Sequence, residues 1–102
     1  MKKINHFIDG NQYLGQSKRS GDVYNPDLGE KIAEVSFANS DDVEQAIISA
    51  KNAFTSWSKT PPLTRSRIFF KFKELLVRDM DKLAAQVTEE HGKVLSDSIG
   101  SI

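Results

Sequence analysis

Two amphipathic helices are predicted by residues 40–76, SDDVEQAIISAKNAFTSWSKTPPLTRSRIFFKFKELL. Apolar residues recur at spacings of three and four in both halves, which places them along one side of each helix. In the first half they are Val43, Ala46, Ile47, Ala50, Ala53, Phe54 and Trp57; in the second they are Ile68, Phe69, Phe72, Leu75 and Leu76, reaching Met80. Pro61 and Pro62 separate the helices, because proline cannot continue the hydrogen-bond ladder.

Capping residues mark where the helices begin and end. Ser40 is the predicted N-cap of the first helix, and we interpret Asp41 and Asp42 as side chains that stabilise the positive end of its dipole, not as an acid–base pair. A third helix is predicted to begin at residues 79–81 and to end at Gly92. A further helical turn begins at Val94.

The first third of the sequence is typical of short strands and turns. Asp9-Gly10 predicts a hairpin, since Gly tolerates the positive φ of primed turns. Residues 25–29 predict a turn, with Pro at its second position. Residues 31–37 predict a strand with Ala33, Val35 and Phe37 on one face. The fold class is therefore α/β: short strands over about residues 5–37, then three to four helices over about residues 41–102.

These elements predict an incomplete fold. The strands are too few and too short for a complete sheet, and Leu95, Ile99 and Ile102 keep helical spacing up to the last residue. We therefore expect the N-terminal piece of a larger fold, with apolar helix faces left partly uncovered. Those faces include Phe54, Trp57, Phe69 and Phe72, and they predict self-association of the isolated chain.

Composition excludes several classes of function. The chain has 14 Lys+Arg and 14 Asp+Glu, so a strongly cationic nucleic-acid binder is disfavoured. It has no Cys, which excludes a disulfide, a zinc–thiolate site and a cysteine nucleophile within these residues. No apolar run approaches the roughly 20 residues of a membrane span, and the N-terminus lacks the apolar stretch of a signal peptide. We expect a cytoplasmic protein.

Three clusters of polar residues are candidates for a metal, catalytic or binding site. Glu89-Glu90-His91 could ligate a metal, but adjacent helical residues point about 100° apart, which favours a solvated helix end capped by Gly92. Ser96-Asp97 lacks a base to activate the serine. The basic stretch 65–73 with interleaved Phe could face nucleic acid or a membrane, but a solvated helix face explains it equally well. We therefore assign no catalytic, cofactor-binding or metal-binding residue.

Four stretches, in order, resemble the N-terminal segment of the aldehyde dehydrogenase superfamily. They are HFIDGNQYLG (6–15), VYNPDLGEKIAEV (23–35), the helical stretch 40–76 and LAAQVTEEHGK (83–93). TPPLTRSRIFFKFKELL (60–76) and EEHGKVLSDSIG (89–100) look most like the CoA-acylating methylmalonate-semialdehyde dehydrogenase branch. The resemblance implies that residues 1–102 form the N-terminal part of an NAD-binding, Rossmann-like domain.

The resemblance also implies an activity and partners. Members of this branch oxidise methylmalonate or malonate semialdehyde to an acyl-CoA, with NAD as cofactor, through a thioester on a catalytic Cys. That Cys, the oxyanion-stabilising Asn and the glycine-rich cofactor turn would lie beyond Ile102, so the segment alone is expected to be inactive and not to bind NAD. The expected partners are the remainder of the dehydrogenase fold and, at full length, further copies in a homo-oligomer, with no nucleic acid and no membrane.

The sequence leaves two alternative functions open. The chain could instead be a small non-catalytic interaction or assembly module, or part of another NAD(P)-dependent aldehyde dehydrogenase. The residues that match the family motifs are expected to be structural. They are Asn25, Pro26, Glu90, Gly92 and Lys93.

Overall fold

Five short strands precede four helices in the computed structural model, which describes residues 1–102. The strands are β1 (Lys2–Ile4), β2 (His6–Ile8), β3 (Asn11–Tyr13), β4 (Ser20–Asn25) and β5 (Glu30–Ser36). The helices are α1 (Ser40–Trp57), α2 (Pro62–Arg78), α3 (Met80–His91) and α4 (Leu95–Gly100). The predicted α/β class and the order of strands before helices are confirmed. Two compact units are present, one of residues 1–23 with 31–59 and one of residues 24–30 with 60–102.

The predicted hairpin is formed by β2 and β3, which pair antiparallel with His6 opposite Tyr13. Asp9 and Gly10 occupy the turn with φ of 55° and 74°. Two consecutive positive φ values give a turn whose twist matches that of the flanking strands, and they explain why Asp-Gly is favoured there.

A second sheet has the order β1-β5-β4, with β5 in the centre. β1 pairs parallel with β5, and Lys2 lies opposite Ala33. The strands begin at Lys2, before the predicted start near residue 5. The sequence gives no turn signal beside β1, because its parallel partner is distant along the chain. The ammonium of Lys31 on β5 lies 2.7 Å from the Asp22 carboxylate on β4.

The predicted apolar face of β5 is only partly correct. Ala33 is buried, but Phe37 lies beyond the strand and is 44% exposed. The backbone N–H of Phe37 donates to the Arg19 carbonyl at 3.0 Å, and its ring covers Gly21 so closely that a Cβ there would lie 2.5 Å from it.

Helix α1 is capped by Asn39, so the predicted N-cap at Ser40 is off by one residue. The Asn39 side chain accepts from the backbone N–H of Asp42 at 2.8 Å, and the Asp42 carboxylate accepts from the Asn39 N–H at 3.0 Å. This reciprocal pair is a capping box. The predicted capping role of Asp42 is confirmed, with a more specific geometry than a dipole interaction alone.

Helices α2 to α4 follow the predicted breaks closely. Pro62 opens α2 in its first turn, where its missing N–H costs nothing. Gly92 ends α3 in the left-handed region with φ of 85°, and its N–H donates to the Thr88 carbonyl. Helix α4 ends at Gly100, so the helix does not continue to Ile102 as the spacing of Leu95, Ile99 and Ile102 predicted.

A buried polar contact joins α3 and α4. The hydroxyls of Thr88 and Ser98 are 2.7 Å apart, and Ser98 is fully buried. Ala84 on α3 is fully buried as well. The Lys93 ammonium bonds the Ser101 hydroxyl just after α4. Small and hydroxylated residues, not large apolar ones, therefore form this corner.

Large apolar residues remain exposed, as the sequence predicted. Among apolar residues, only Ala33 and Ala84 are buried. Phe54 is 66% exposed, Phe69 65% and Phe72 55%. The four helices thus present apolar faces that these residues do not cover.

Gly92 abuts the turn that follows β4. Asn25 builds this turn, because its side chain accepts from the Asp27 N–H at 3.0 Å and its carbonyl accepts from the Gly29 N–H at 2.8 Å. A Cβ added at Gly92 would lie 2.9 Å from Pro26 Cγ and 3.1 Å from the Asp27 carboxylate. The predicted structural role of Asn25, Pro26 and Gly92 therefore has a direct geometric basis.

We expect Gly92→Ala to lower the free energy of unfolding by more than Gly29→Ala. Both glycines have positive φ, so each substitution carries a backbone cost of about 1–2 kcal/mol. Only Gly92 adds a clash, since nothing lies within 4 Å of a Cβ at Gly29. Urea unfolding followed by circular dichroism measures the difference, and equal losses would contradict the proposed packing.

Candidate functional site

The most connected polar group of the first unit is the carboxylate of Asp42, which is 1% exposed. Its Oδ1 accepts from the Gln16 N–H at 3.0 Å, and its Oδ2 accepts from the Asn39 N–H at 3.0 Å. The Tyr13 side chain on β3 lies close enough for it and Asp42 to shift each other's pKa. The Asp42 side chain thus links the loop after β3 to the start of α1, with Tyr13 of β3 beside it.

Hydrogen bonding determines the charge state of this junction. The Asn39 N–H is the main cause that lowers the pKa of Asp42, with the Gln16 N–H, the Tyr13 hydroxyl and the charge of His6 acting in the same direction against burial. Burial, followed by the hydrogen bond to Asp42, raises the pKa of Tyr13. Asp42 is therefore held as a carboxylate and Tyr13 as a neutral phenol.

His6 lies beside the same carboxylate. Its Nε2 is buried without a hydrogen-bond partner. A Cβ added at Gly15 would lie 3.1 Å from this nitrogen and 3.2 Å from Asp42 Oδ2. The junction is closely packed, and its carboxylate accepts from groups of its own chain, so the arrangement favours a structural clamp over a general base. We call Asn39, Asp42, Tyr13, Gln16 and His6 the Asp42 junction.

Only part of the Asp42 junction could be predicted from the sequence. Asp42 was predicted as a capping residue, and the spacing of Asn39 to Asp42 carries the capping-box signal that identifies the true N-cap. Tyr13 and Gln16 lie more than twenty residues away in sequence, and no local pattern connects them with Asp42.

Two of the three candidate clusters lie entirely at exposed positions. Glu89, Glu90 and His91 are all exposed at the end of α3. Ser96 and Asp97 are exposed on α4. No group of three or more His, Asp or Glu side chains is placed to hold a metal ion.

Two further features bear on possible ligands. The six glycines form no G-x-G-x-x-G or Walker pattern. None of the helices combines the length and the hydrophobicity that crossing a bilayer requires.

Comparison with known proteins identifies the family. The model of the aldehyde dehydrogenase family matches residues 13–102. The chain belongs to the aldehyde dehydrogenase family. Its α/β structure matches the N-terminal part of the aldehyde dehydrogenase domain. The resemblance in the strand and helix motifs is thereby confirmed over nearly the whole chain.

Individual relatives are semialdehyde dehydrogenases. The chain is 40% identical over 102 residues to malonate-semialdehyde dehydrogenase of Bacillus pumilus (strain SAFR-032), and 36% identical over the same length to that of Pseudomonas aeruginosa. It covers 21% and 20% of their lengths. It therefore spans about a fifth of the curated relatives that it matches.

Solved structures agree. A Sinorhizobium meliloti 1021 protein, assigned as a methylmalonate-semialdehyde dehydrogenase and complexed with NAD, matches all of this chain with a TM-score of 0.98 and 40% identity, over 21% of its own length. Methylmalonate-semialdehyde dehydrogenase from Oceanimonas doudoroffii matches 98% of the chain with a TM-score of 0.94 and 42% identity, over 20% of its length.

We expect Asn39→Ala to lower the free energy of unfolding by about 1 kcal/mol, because α1 loses its N-cap. Ser40→Ala is the matched control, since Ser40 is the first helical residue and does not cap. Thermal unfolding followed by circular dichroism compares the two. A larger loss for Ser40→Ala would show that the helix begins one residue later.

The stability of the chain should fall in acid through Asp42. The pKa of Asp42 is lower in the folded chain than in the unfolded chain. Its contribution to the free energy of unfolding is therefore complete above the unfolded pKa of about 4, and it is lost as pH falls through the folded pKa. Asp42→Asn should destabilise the chain at neutral pH and flatten this acid limb. Urea midpoints measured from neutral to acidic pH check the expectation.

Asp41→Asn is the control for that series, because Asp41 is exposed one residue away. A residual acid dependence should persist in both variants, since the Arg78 guanidinium lowers the pKa of Asp79. Identical pH profiles for Asp42→Asn and the unmodified chain would contradict the clamp.

Proposed function

We propose that this chain is the N-terminal structural segment of an NAD-dependent dehydrogenase that oxidises malonate or methylmalonate semialdehyde to an acyl-CoA. The observation that carries the proposal is the match of the entire chain, at 40% identity and a TM-score of 0.98, to a fifth of a semialdehyde dehydrogenase structure. The curated malonate-semialdehyde dehydrogenases support the same substrate class.

Within this proposal the chain supplies scaffold and not chemistry. In the whole protein a cysteine thiolate would attack the aldehyde carbon, and hydride would leave that carbon to give a thioester. The CoA thiolate would then attack the acyl carbon, so that a bond to CoA forms, the bond to the cysteine sulfur breaks and the cysteine thiolate leaves. NAD, when bound, accepts the hydride. These 102 residues contain no Cys and no phosphate-binding glycine turn, so both functions fall to other parts of the whole protein. We propose that the reaction takes place in the cytoplasm, where NAD and CoA are available.

The scaffold role rests on the Asp42 junction and on the Gly92 contact. The first fixes the hairpin against α1, and the second fixes the turn after β4 against the end of α3. Each holds backbone segments in a defined place with directional or steric constraints. The exposed apolar faces of α1 and α2 then offer the surface on which the remaining dehydrogenase fold would pack.

The chain alone should form no NADH when it is mixed with malonate semialdehyde, NAD and CoA. Added to the Bacillus pumilus relative from which the matched N-terminal fifth has been deleted, it should restore NADH formation. Absorbance of NADH reports both reactions. NADH formation by the chain alone, or no restoration in the mixture, would overturn the proposal.

Variants of the chain sharpen this experiment. Asp42→Asn should weaken restoration, because the hairpin loses its link to α1, whereas Asp41→Asn should restore activity like the unmodified chain. A betaine aldehyde dehydrogenase that lacks its matched N-terminal part tests the alternative of a different NAD(P)-dependent aldehyde dehydrogenase. Restoration of that enzyme, but not of the Bacillus pumilus relative, would support the alternative. Stable binding to the deleted relative without activity would instead indicate a non-catalytic assembly module.

A further inference from the structure

Helix α2 is unusual because it has no buried residue and carries apolar side chains on two opposite sides. Its front side holds the predicted stripe, a broad face that includes Ile68, Phe69 and Phe72. Phe70 points about 160° away from Phe72 at 100° per residue. A helix that is apolar on both sides is normally covered on both sides.

The rear side of α2 carries a narrow apolar line. Leu63, Phe70 and Val77 are spaced by seven residues and are 62%, 66% and 60% exposed. We call these three residues the rear stripe. A seven-residue spacing drifts only about 20° per repeat, so the stripe runs nearly straight for about 21 Å along the helix. The line has one apolar residue every two turns with polar residues between, so it is narrower than a coiled-coil seam, and one helix lying along it would cover it.

We propose that the rear stripe is a self-association surface on which α2 of a second copy of this chain packs antiparallel. A two-fold axis at Phe70 places Phe70 against Phe70 and Leu63 against Val77 of the second copy. Each apolar residue of the stripe then meets another apolar residue, as an isologous contact requires.

Charge complementarity selects the second copy and the antiparallel direction. Arg67 and Glu74 lie on the same flank of the rear stripe, at three residues before and four residues after Phe70. The two-fold axis brings Arg67 of one copy beside Glu74 of the other, twice per dimer, with an offset of about 1.5 Å, the rise of one residue. Lys73 lies on the other flank and meets Ser66, so no like charges face each other.

The existing ion pair of Glu74 does not prevent this contact. Lys71 lies 3.4 Å from Glu74, and both side chains are 70% exposed, so the pair is weak and exchangeable. Lys71 itself lies farther round the helix from the stripe than Arg67 does.

Charge reversal tests the pairing on the full 102-residue chain. Arg67→Glu alone and Glu74→Arg alone should each weaken the dimer on the order of tenfold, because two attractions become two repulsions. An equimolar mixture of the two variants should form the heterodimer, and the double variant should recover the homodimer. Sedimentation equilibrium with one isotope-labelled partner, combined with native mass spectrometry, measures these populations.

Lys51→Glu on α1 is the control, because Lys51 is exposed on a different helix, and it should leave the dissociation constant unchanged. Phe70→Asp should abolish the dimer, whereas Phe69→Asp on the front side should not. Circular dichroism verifies that each variant remains helical. Equal behaviour of the single variants and their mixture would overturn the proposal and indicate association through the front face. Burial of the Phe70 side chain by the deleted Bacillus pumilus relative, without self-association of the chain, would also overturn the proposal. No readout involves dehydrogenase activity, so the proposed function can fail independently.

Discussion

The buried carboxylate of Asp42 is the contact on which the first unit depends. It accepts from the Gln16 and Asn39 backbone amides at once, and Ala33 is the only apolar residue buried in that unit. A charge-assisted hydrogen bond is directional, so this group fixes orientation in a way that a small apolar contact cannot. The hairpin and α1 are therefore aligned by polar geometry.

The scarcity of buried apolar residues follows from how little of the family fold these residues contain. The chain spans about a fifth of its relatives, yet its backbone matches the Sinorhizobium meliloti structure with a TM-score of 0.98 over that part. Local signals explain this agreement: two prolines, a capping box and a left-handed glycine fix where the elements begin and end. The large side chains of α1 and of the front side of α2 then remain exposed, because little of the family fold is present to cover them.

Features with local causes could be predicted from the sequence. Asp9-Gly10 and Gly92 require positive φ, and Pro61-Pro62 interrupts a helix wherever the rest of the chain lies. Features with distant causes could not. β1 is defined only by its partner β5, and Tyr13 joins Asp42 only after the hairpin has folded.

One misplaced residue shows where pattern and geometry part. Ser40 and Asn39 are both good N-cap types, and composition does not rank them. The choice depends on the reciprocal bond with Asp42, three residues after Asn39. Similarly, Phe37 continues the alternation of β5 in sequence, but it leaves the strand to cover Gly21.

The short strand β1 has a consequence for unwanted aggregation. It forms one edge of the three-stranded sheet, and an open edge can recruit strands from other molecules. Lys2 and Lys3 are exposed on this strand, and only three residues of it are available for pairing. Closely spaced positive charges repel an identical edge, so amyloid-like growth through the β1 edge is disfavoured.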